Sequence, residues 1–275
     1  MNQNVPRITG FQSIFRGPGG TLPDYLVIGA QKCGTTTLYD LLVKHPAIYP
    51  AYQKEVHYFD RYYNKGLIWY RANMPRKSER RKVEATGQPF LCGEAAPSYI
   101  YHPLAAERVK RVMPRGKFIL LLRNPVDRAF SHYHKECGRE DETLSFEEAI
   151  AQEEKRLQGK FEKVIQTGTH SHNWWHYSYK GRGRYAEQLE RWFRLFPREQ
   201  FLIMKTEDMA ADTPGTVNEV CRFLGIEENA ITDFPRSNVG GYGKQMNPET
   251  RAQLEEYFRP HNEKLYEMIG RDMGW

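Results

Sequence analysis

The stretch from Tyr25 to Lys44 constrains this chain more than any other. Tyr25–Ala30 (YLVIGA) is a short apolar run with Gly29 near its end, the pattern of a buried strand. Gln31–Gly34 follows as a turn, and Thr35–Lys44 reads as a helix closed by His45-Pro46. Strand, tight loop and helix in this order open a parallel α/β sheet. They also set the N–H groups of a helix start at the end of a strand, which makes an anion site. Gly29 and Gly34 match the glycines of the phosphate loop G-x-x-x-x-G-K-[ST]. Thr35 stands where that pattern has lysine, and the cation comes three residues earlier, at Lys32. Gly34 lets a phosphate come close, and Thr35, Thr36 and Thr37 add hydroxyl donors. No apolar run ends in an Asp suited to magnesium: Lys117–Leu122 (KFILLL) is followed by Arg123, and Gln200–Lys205 ends in Lys205. Magnesium-dependent hydrolysis of a nucleoside triphosphate is therefore disfavoured.

The rest of the chain continues the alternation. KFILLL is a second buried strand and QFLIMK a third. Asn124 at the N-cap and Pro125 at the first helical position start a helix over Pro125–Glu136. Ser145 with Glu148 is a capping box. Arg184–Phe196 puts Tyr185, Leu189, Trp192, Phe193 and Phe196 on one helical face, and Pro197 ends it. Thr213–Leu224 is a helix stopped by Gly225, and Asn247-Pro248 opens a C-terminal helix that Pro260 should break or bend. Residues 1–22, largely polar with glycines and prolines, read as a flexible N-terminal arm. Residues 23–275 read as one domain of α/β class, with a P-loop-like central parallel sheet flanked by helices.

The formal net charge of +6 favours anionic partners, but Lys and Arg are spread along the chain and do not single out nucleic acid. The run Arg76–Lys82 reads as a solvated surface segment. Cys33, Cys92, Cys137 and Cys221 lack C-x-x-C spacing, so neither a zinc site nor a disulfide framework is expected, and reduced thiols fit a cytoplasmic setting. No signal peptide is visible. The longest apolar run, Phe118–Leu122, is far short of a membrane span, so a soluble protein with no membrane partner is expected. The sequence does not set an oligomeric state.

Arg123 stands at the C-terminal end of a buried strand, where open α/β sheets bind ligands, and Ser131 follows on the helix behind it. A guanidinium fork and a hydroxyl there make a second anion site. Two anion sites on one sheet edge suit a ligand with two separate phosphates. Taken alone, Arg123 could equally pair with Asp127 or Glu136.

These residues resemble a known family. LVIGAQKCGTTTL is similar to the 5′-phosphosulfate loop of sulfotransferases that use 3′-phosphoadenosine 5′-phosphosulfate (PAPS), and FILLLRNPVDRAFSHY is similar to their 3′-phosphate motif. The likeness runs on through QKEVHYFD, NKGLIWY, RYAEQLERWF and MNPETRAQLEEYFRPHN, covering nearly all of the chain from Pro23. It points to the heparan sulfate sulfotransferases, the N-sulfotransferase domain above all, and to bacterial enzymes of the same type. The resemblance implies that Lys32 contacts the phosphosulfate bridge. It implies that the loop Cys33, Gly34, Thr35, Thr36 and Thr37 holds the 5′-phosphate, and that Arg123 and Ser131 hold the 3′-phosphate. Gly240, Gly241, Tyr242, Gly243 and Lys244 fall where the family has a Gly- and Lys-containing loop over the nucleotide, here poorer in basic residues.

The same resemblance assigns the catalytic base to Glu55, in QKEVHYF. His57 is the rival, because related 2-O- and 6-O-sulfotransferases use histidine. Were the segment a strand, Glu55 and His57 would point to one side. The expected reaction is in-line transfer of a sulfuryl group from PAPS to a hydroxyl or amine, with Lys32 neutralising the leaving oxygen and PAP as product. PAPS carries its own activated sulfuryl, so no metal is required. A carbohydrate acceptor is favoured, since His170–Tyr185 (HSHNWWHYSYKGRGRY) offers flat aromatic faces. Its three histidines lack a carboxylate or cysteine pattern that would complete a metal set. Ala95 replaces a lysine that relatives place near the reaction centre, so Lys54 or another cation must substitute, or the acceptor differs. Two alternatives remain: a nucleotide or small-molecule kinase, and a non-catalytic PAP-binding protein.

Overall fold

The structure, a computed structural model, describes residues 10–168, 171–234 and 245–275. Five parallel strands form its centre: β1 (Tyr25–Gly29), β2 (Ile48–Pro50), β3 (Leu91–Ala95), β4 (Lys117–Leu122) and β5 (Phe201–Lys205). Their spatial order is β2-β3-β1-β4-β5, and helices flank the sheet. Apolar residues fill β1 and β4 because helices cover both faces; Tyr25, Leu26, Val27 and Ile28 are wholly buried, as are Phe118 through Leu122. The chain leaves β1 toward β2 on one side and leaves β4 toward β5 on the other. The sheet therefore has its switch point between the C-terminal ends of β1 and β4, where a crevice opens in such folds.

β1, β4, β5 and the helix Pro125–Cys137 stand where the sequence predicts them, and the Asn124 side chain accepts from the N–H groups of Val126 and Asp127. β2 and β3 were not predicted. In β3, Gly93 lies in register with Tyr25, whose ring covers it so closely that a Cβ would sit 2.1 Å from Cζ. Glu94 beside it is wholly buried and accepts from Tyr70 Oη at 2.7 Å and Tyr99 Oη at 3.0 Å. Burial pushes its carboxyl up to about 7.

Two further expectations meet a different outcome. Within the stretch read as a flexible arm, Gly10–Arg16 is helical, Gly20 pairs antiparallel with Arg76, and Arg71 donates to the carbonyls of Gly20 and Pro18. The C-terminal helix was expected to break or bend at Pro260, yet it runs unbroken over Pro248–Ile269. Pro260 faces solvent, whereas Leu254, Phe258 and Leu265 are buried and hold both halves of the helix to the core. Among the described residues no helix is long and apolar enough to cross a membrane, and all four cysteines are free.

Candidate active site

The loop after β1 opens with Lys32 in a left-handed conformation (φ 72°) and closes with Gly34 (φ 84°), the N-cap of the helix Thr35–Leu42. A glycine N-cap has no side chain to occupy the first-turn N–H groups, so they stay open to an anion. The neighbouring strand end holds the loop in place. Ala30 N–H donates to Leu121 O at 2.8 Å, and the Thr206 hydroxyl lies 2.8 Å from both Cys33 O and Leu122 O. Arg123 reaches back to Lys32 O at 3.5 Å, which brings the two predicted anion motifs side by side. Neither partner considered for Arg123 takes it: Asp127 pairs with Arg251, and Glu136 with Lys135 and His176.

A cleft of about 500 Å³ opens over this loop, lined by Lys32, Gly34, Thr35 and Thr36 and, opposite them, by Glu55, His57 and Arg61. Thr37 is exposed on the helix outside the lining. Cys33 turns its side chain into the core, 3.8 Å from Tyr185 Oη, and its N–H donates to Ala30 O. Ser131 is buried in the second turn of its helix, away from the lining. The stretch Gly240–Lys244 lies outside the described residues. A larger recess, about 800 Å³, sits around Pro23, Asp24 and Lys117 at the opposite, N-terminal edge of the strands.

Glu55 and His57 do meet, but not as strand neighbours. Both have positive φ, 54° and 56°, in an irregular segment, and His57 O accepts from the N–H groups of Arg61 and Tyr62 in the turn that follows. The result is a relay. His57 Nε2 lies 3.3 Å from Glu55 Oε2, His57 Nδ1 lies 3.0 Å from Asp60 Oδ2, and the Ser98 hydroxyl donates to that same oxygen at 2.5 Å. Burial opposes charge on His57, but Asp60 first and Glu55 second outweigh it and raise the imidazole to about 9. Burial likewise opposes ionisation of Asp60, and the imidazolium and the Ser98 hydrogen bond hold it well below the usual carboxylate range. For Glu55 the His57 hydrogen bond and charge overcome desolvation and lower the carboxyl. At neutral pH the arrangement is carboxylate, imidazolium, carboxylate, with Glu55 nearest the cleft.

The sequence reading did not find Asp60, Ser98, Arg61 or Lys135. His57 and Asp60 stand three residues apart in a turn, a weak signal on its own. Ala95 is buried in β3 and brings no cation, while Lys54, Lys135 and Arg139 all line the cleft. Lys54 is paired with Asp40 at 3.2 Å, and Lys135 with buried Glu136 at 2.7 Å. The aromatic segment divides its work. Trp174 and Trp175 share one packed cluster, in which Trp174 stacks on Tyr101, and Trp175 also walls the cleft with the Arg61 guanidinium 3.8 Å above its ring.

The sulfotransferase domain family matches residues 22–237 of the chain. Heparan sulfate glucosamine 3-O-sulfotransferase 3B1 of Mus musculus is 32% identical, over 96% of this chain and 67% of that protein. Heparan sulfate glucosamine 3-O-sulfotransferase 6 of Homo sapiens is 33% identical, over 94% and 75%. The bifunctional heparan sulfate N-deacetylase/N-sulfotransferase 4 of Mus musculus is 30% identical over 91% of this chain, which spans 30% of that protein. Among solved structures, a sulfotransferase from Alicyclobacillus acidocaldarius superposes with a TM-score of 0.69 at 31% identity, covering 92% of this chain and 98% of that one. A phosphate-type loop with its lysine displaced, a second motif at the adjoining strand end and these matches along nearly the whole chain lead to one conclusion: the chain belongs to the sulfotransferase family and is a sulfotransferase.

Proposed function

We propose that the chain transfers a sulfuryl group from PAPS to a hydroxyl, or an amine, of a carbohydrate acceptor, with Glu55 as the base. The observation that carries this reading is the relay of Glu55, His57 and Asp60 facing Lys32 across one cleft. An imidazole raised to about 9 is already protonated at neutral pH and accepts no further proton, so His57 serves as a positioning residue and the base role falls to Glu55.

The residues fit the donor. The uncapped helix start behind Gly34, with Thr35 and Thr36, would take the 5′-phosphate, and Arg123, which reaches the Lys32 carbonyl at 3.5 Å, would take the 3′-phosphate. Ser131 and the stretch Gly240–Lys244 belong to the same proposed set. PAPS supplies an activated sulfuryl on a phosphate leaving group. Glu55 removes the acceptor proton as the acceptor oxygen or nitrogen bonds to sulfur and the bridging sulfur–oxygen bond breaks. Lys32 neutralises the charge gained by the departing phosphate oxygen. Lys54, Arg61, Lys135 and Arg139 around the cleft suit an acidic acceptor, and the named relatives act on heparan sulfate glucosamine.

The test pairs binding with turnover. PAP at about 100 times its dissociation constant should stabilise the fold by about 2.7 kcal/mol, with no matching shift from ATP–magnesium. Glu55→Gln should keep that shift and lose about 10²–10⁴-fold in turnover of PAPS with a heparan-type oligosaccharide. Lys32→Ala should lose turnover as well. Full activity in Glu55→Gln would remove the base assignment, and stabilisation by ATP–magnesium alone would remove PAPS as donor.

A further inference from the structure

We propose that Asp141, His172 and His176 hold a divalent metal ion of the zinc class, which clamps the aromatic wall of the cleft. In sequence the histidines of this segment lack a carboxylate. The fold supplies one from the turn after the helix Pro125–Cys137. One ligand atom from each of Asp141, His172 and His176 lies within 4.8 Å of the other two. The imidazoles stand one helical turn apart on His172–His176, with ring centroids 4.4 Å apart. His172 Nε2 is 4.0 Å from Asp141 Oδ1. Zinc bonds of about 2.0–2.2 Å in tetrahedral geometry set neighbouring ligand atoms roughly 3.3 Å apart, so small side-chain rotations would close the set. Two imidazoles and one carboxylate suit zinc better than magnesium or calcium, and they leave a position for water.

A second observation also points to a ligand role. Glu136, wholly buried, lies with Oε2 2.7 Å from His176 Nδ1 and Oε1 2.7 Å from Lys135 Nζ. With Nδ1 held by that carboxylate, Nε2 is the nitrogen left for an ion, and a carboxylate on the non-ligating nitrogen is the support that metal-ligating histidines regularly have. The backbone of Asp141 is tied down too, its N–H donating to Glu136 O and its carbonyl accepting from Tyr177 Oη. Trp175 lies between the two histidines on the same short helix and lines the cleft, so an ion here would fix that wall. Its role is structural: the ion takes no part in the transfer step, and the site stands whichever residue is the base.

The experiment uses the whole chain, stripped with a chelator and titrated with Zn²⁺ against a chromophoric competitor, and with Co²⁺ alone for its visible d–d bands. One ion per chain is expected, undisturbed by millimolar-range Mg²⁺. Glu136→Gln should weaken binding about 10–100-fold. Glu136 is buried and its variant also tests folding, so His172→Ala and Asp141→Asn carry the decision; the His172 side chain is 57% exposed, and its loss leaves the core intact. Each should abolish the cobalt spectrum while circular dichroism stays that of the parent. Failure of the parent chain to bind Zn²⁺ or Co²⁺ stoichiometrically would overturn the proposal, as would unchanged binding in both variants.

Discussion

Asp60→Asn is the sharpest perturbation of the relay. Asn keeps the shape of the side chain and removes its charge. Asp60 is buried, 3.0 Å from His57 Nδ1, and is the largest source of the rise in the His57 pKa from 6.5 to about 9. That rise, at about 1.4 kcal/mol per unit, amounts to roughly 3 kcal/mol of preference for the imidazolium. The folded pKa is raised, so the contribution is fully present below about pH 6.5 and is lost as the pH climbs through about 9. In that window the native chain binds one more proton than the unfolded chain, and its stability should fall by about 1.4 kcal/mol per pH unit. In Asp60→Asn, burial acts on His57 with only Glu55 opposing it, and the imidazole should titrate near or below 6.5. Urea unfolding from about pH 6 to 10 should show the two chains furthest apart at the acid end and converging toward the alkaline end. Nitrogen-15 shifts of the imidazole should report His57 doubly protonated near neutral pH in the parent and neutral in the variant. Parallel stability curves, or a neutral His57 in the parent, would refute the relay and return His57 to the list of bases.

Two packing predictions are independent of the chemistry. Gly93→Ala puts a methyl group 2.1 Å from the wholly buried Tyr25 ring, so it should destabilise by at least about 1–3 kcal/mol in urea unfolding; a change within error would show that Tyr25 moves freely. Pro260→Ala restores a main-chain donor in the middle of an unbroken helix at an exposed position and should raise stability by up to about 3 kcal/mol, read as a higher Tm. A lower Tm would mean that Pro260 stabilises the helix through some other contact.

The parts legible in the sequence were those with an unbroken local signal. β1, β4 and β5 are continuous apolar runs, and the helix at Pro125 carries its own cap. β3 was hidden because Leu91–Ala95 mixes a glycine with a glutamate. The glycine is there for a ring on another strand, and the glutamate is tolerated because two tyrosine hydroxyls from elsewhere reach it. β2, at three residues, is too short for any periodicity to show. In the cleft, the loop from Lys32 and the pair Glu55 and His57 could be read ahead of the fold. Glu55 and His57 meet through left-handed backbone rather than the strand alternation expected. Ser98 and Asp141 could not be found in the same way, because their partners stand on other segments and only the fold assembles them.

The Thr206 hydroxyl joins the carbonyls of Cys33 and Leu122, so the loop after β1 and the end of β4 are fastened to each other as well as to the sheet. On the proposed assignment, a nucleotide gripped at two ends needs its two grips at a constant separation, and one side chain would act as the spacer. The opposite wall is assembled from separate segments: Arg61, Lys135 and Trp175 stand on three of them, and the Arg61 guanidinium lies 3.8 Å above the Trp175 ring. On the assignment proposed above, the enzyme is thus a rigid donor platform facing a replaceable acceptor panel. Varying Lys54, Arg61, Lys135, Arg139 and Trp175 together should retarget the acceptor while the donor grip is inherited unchanged.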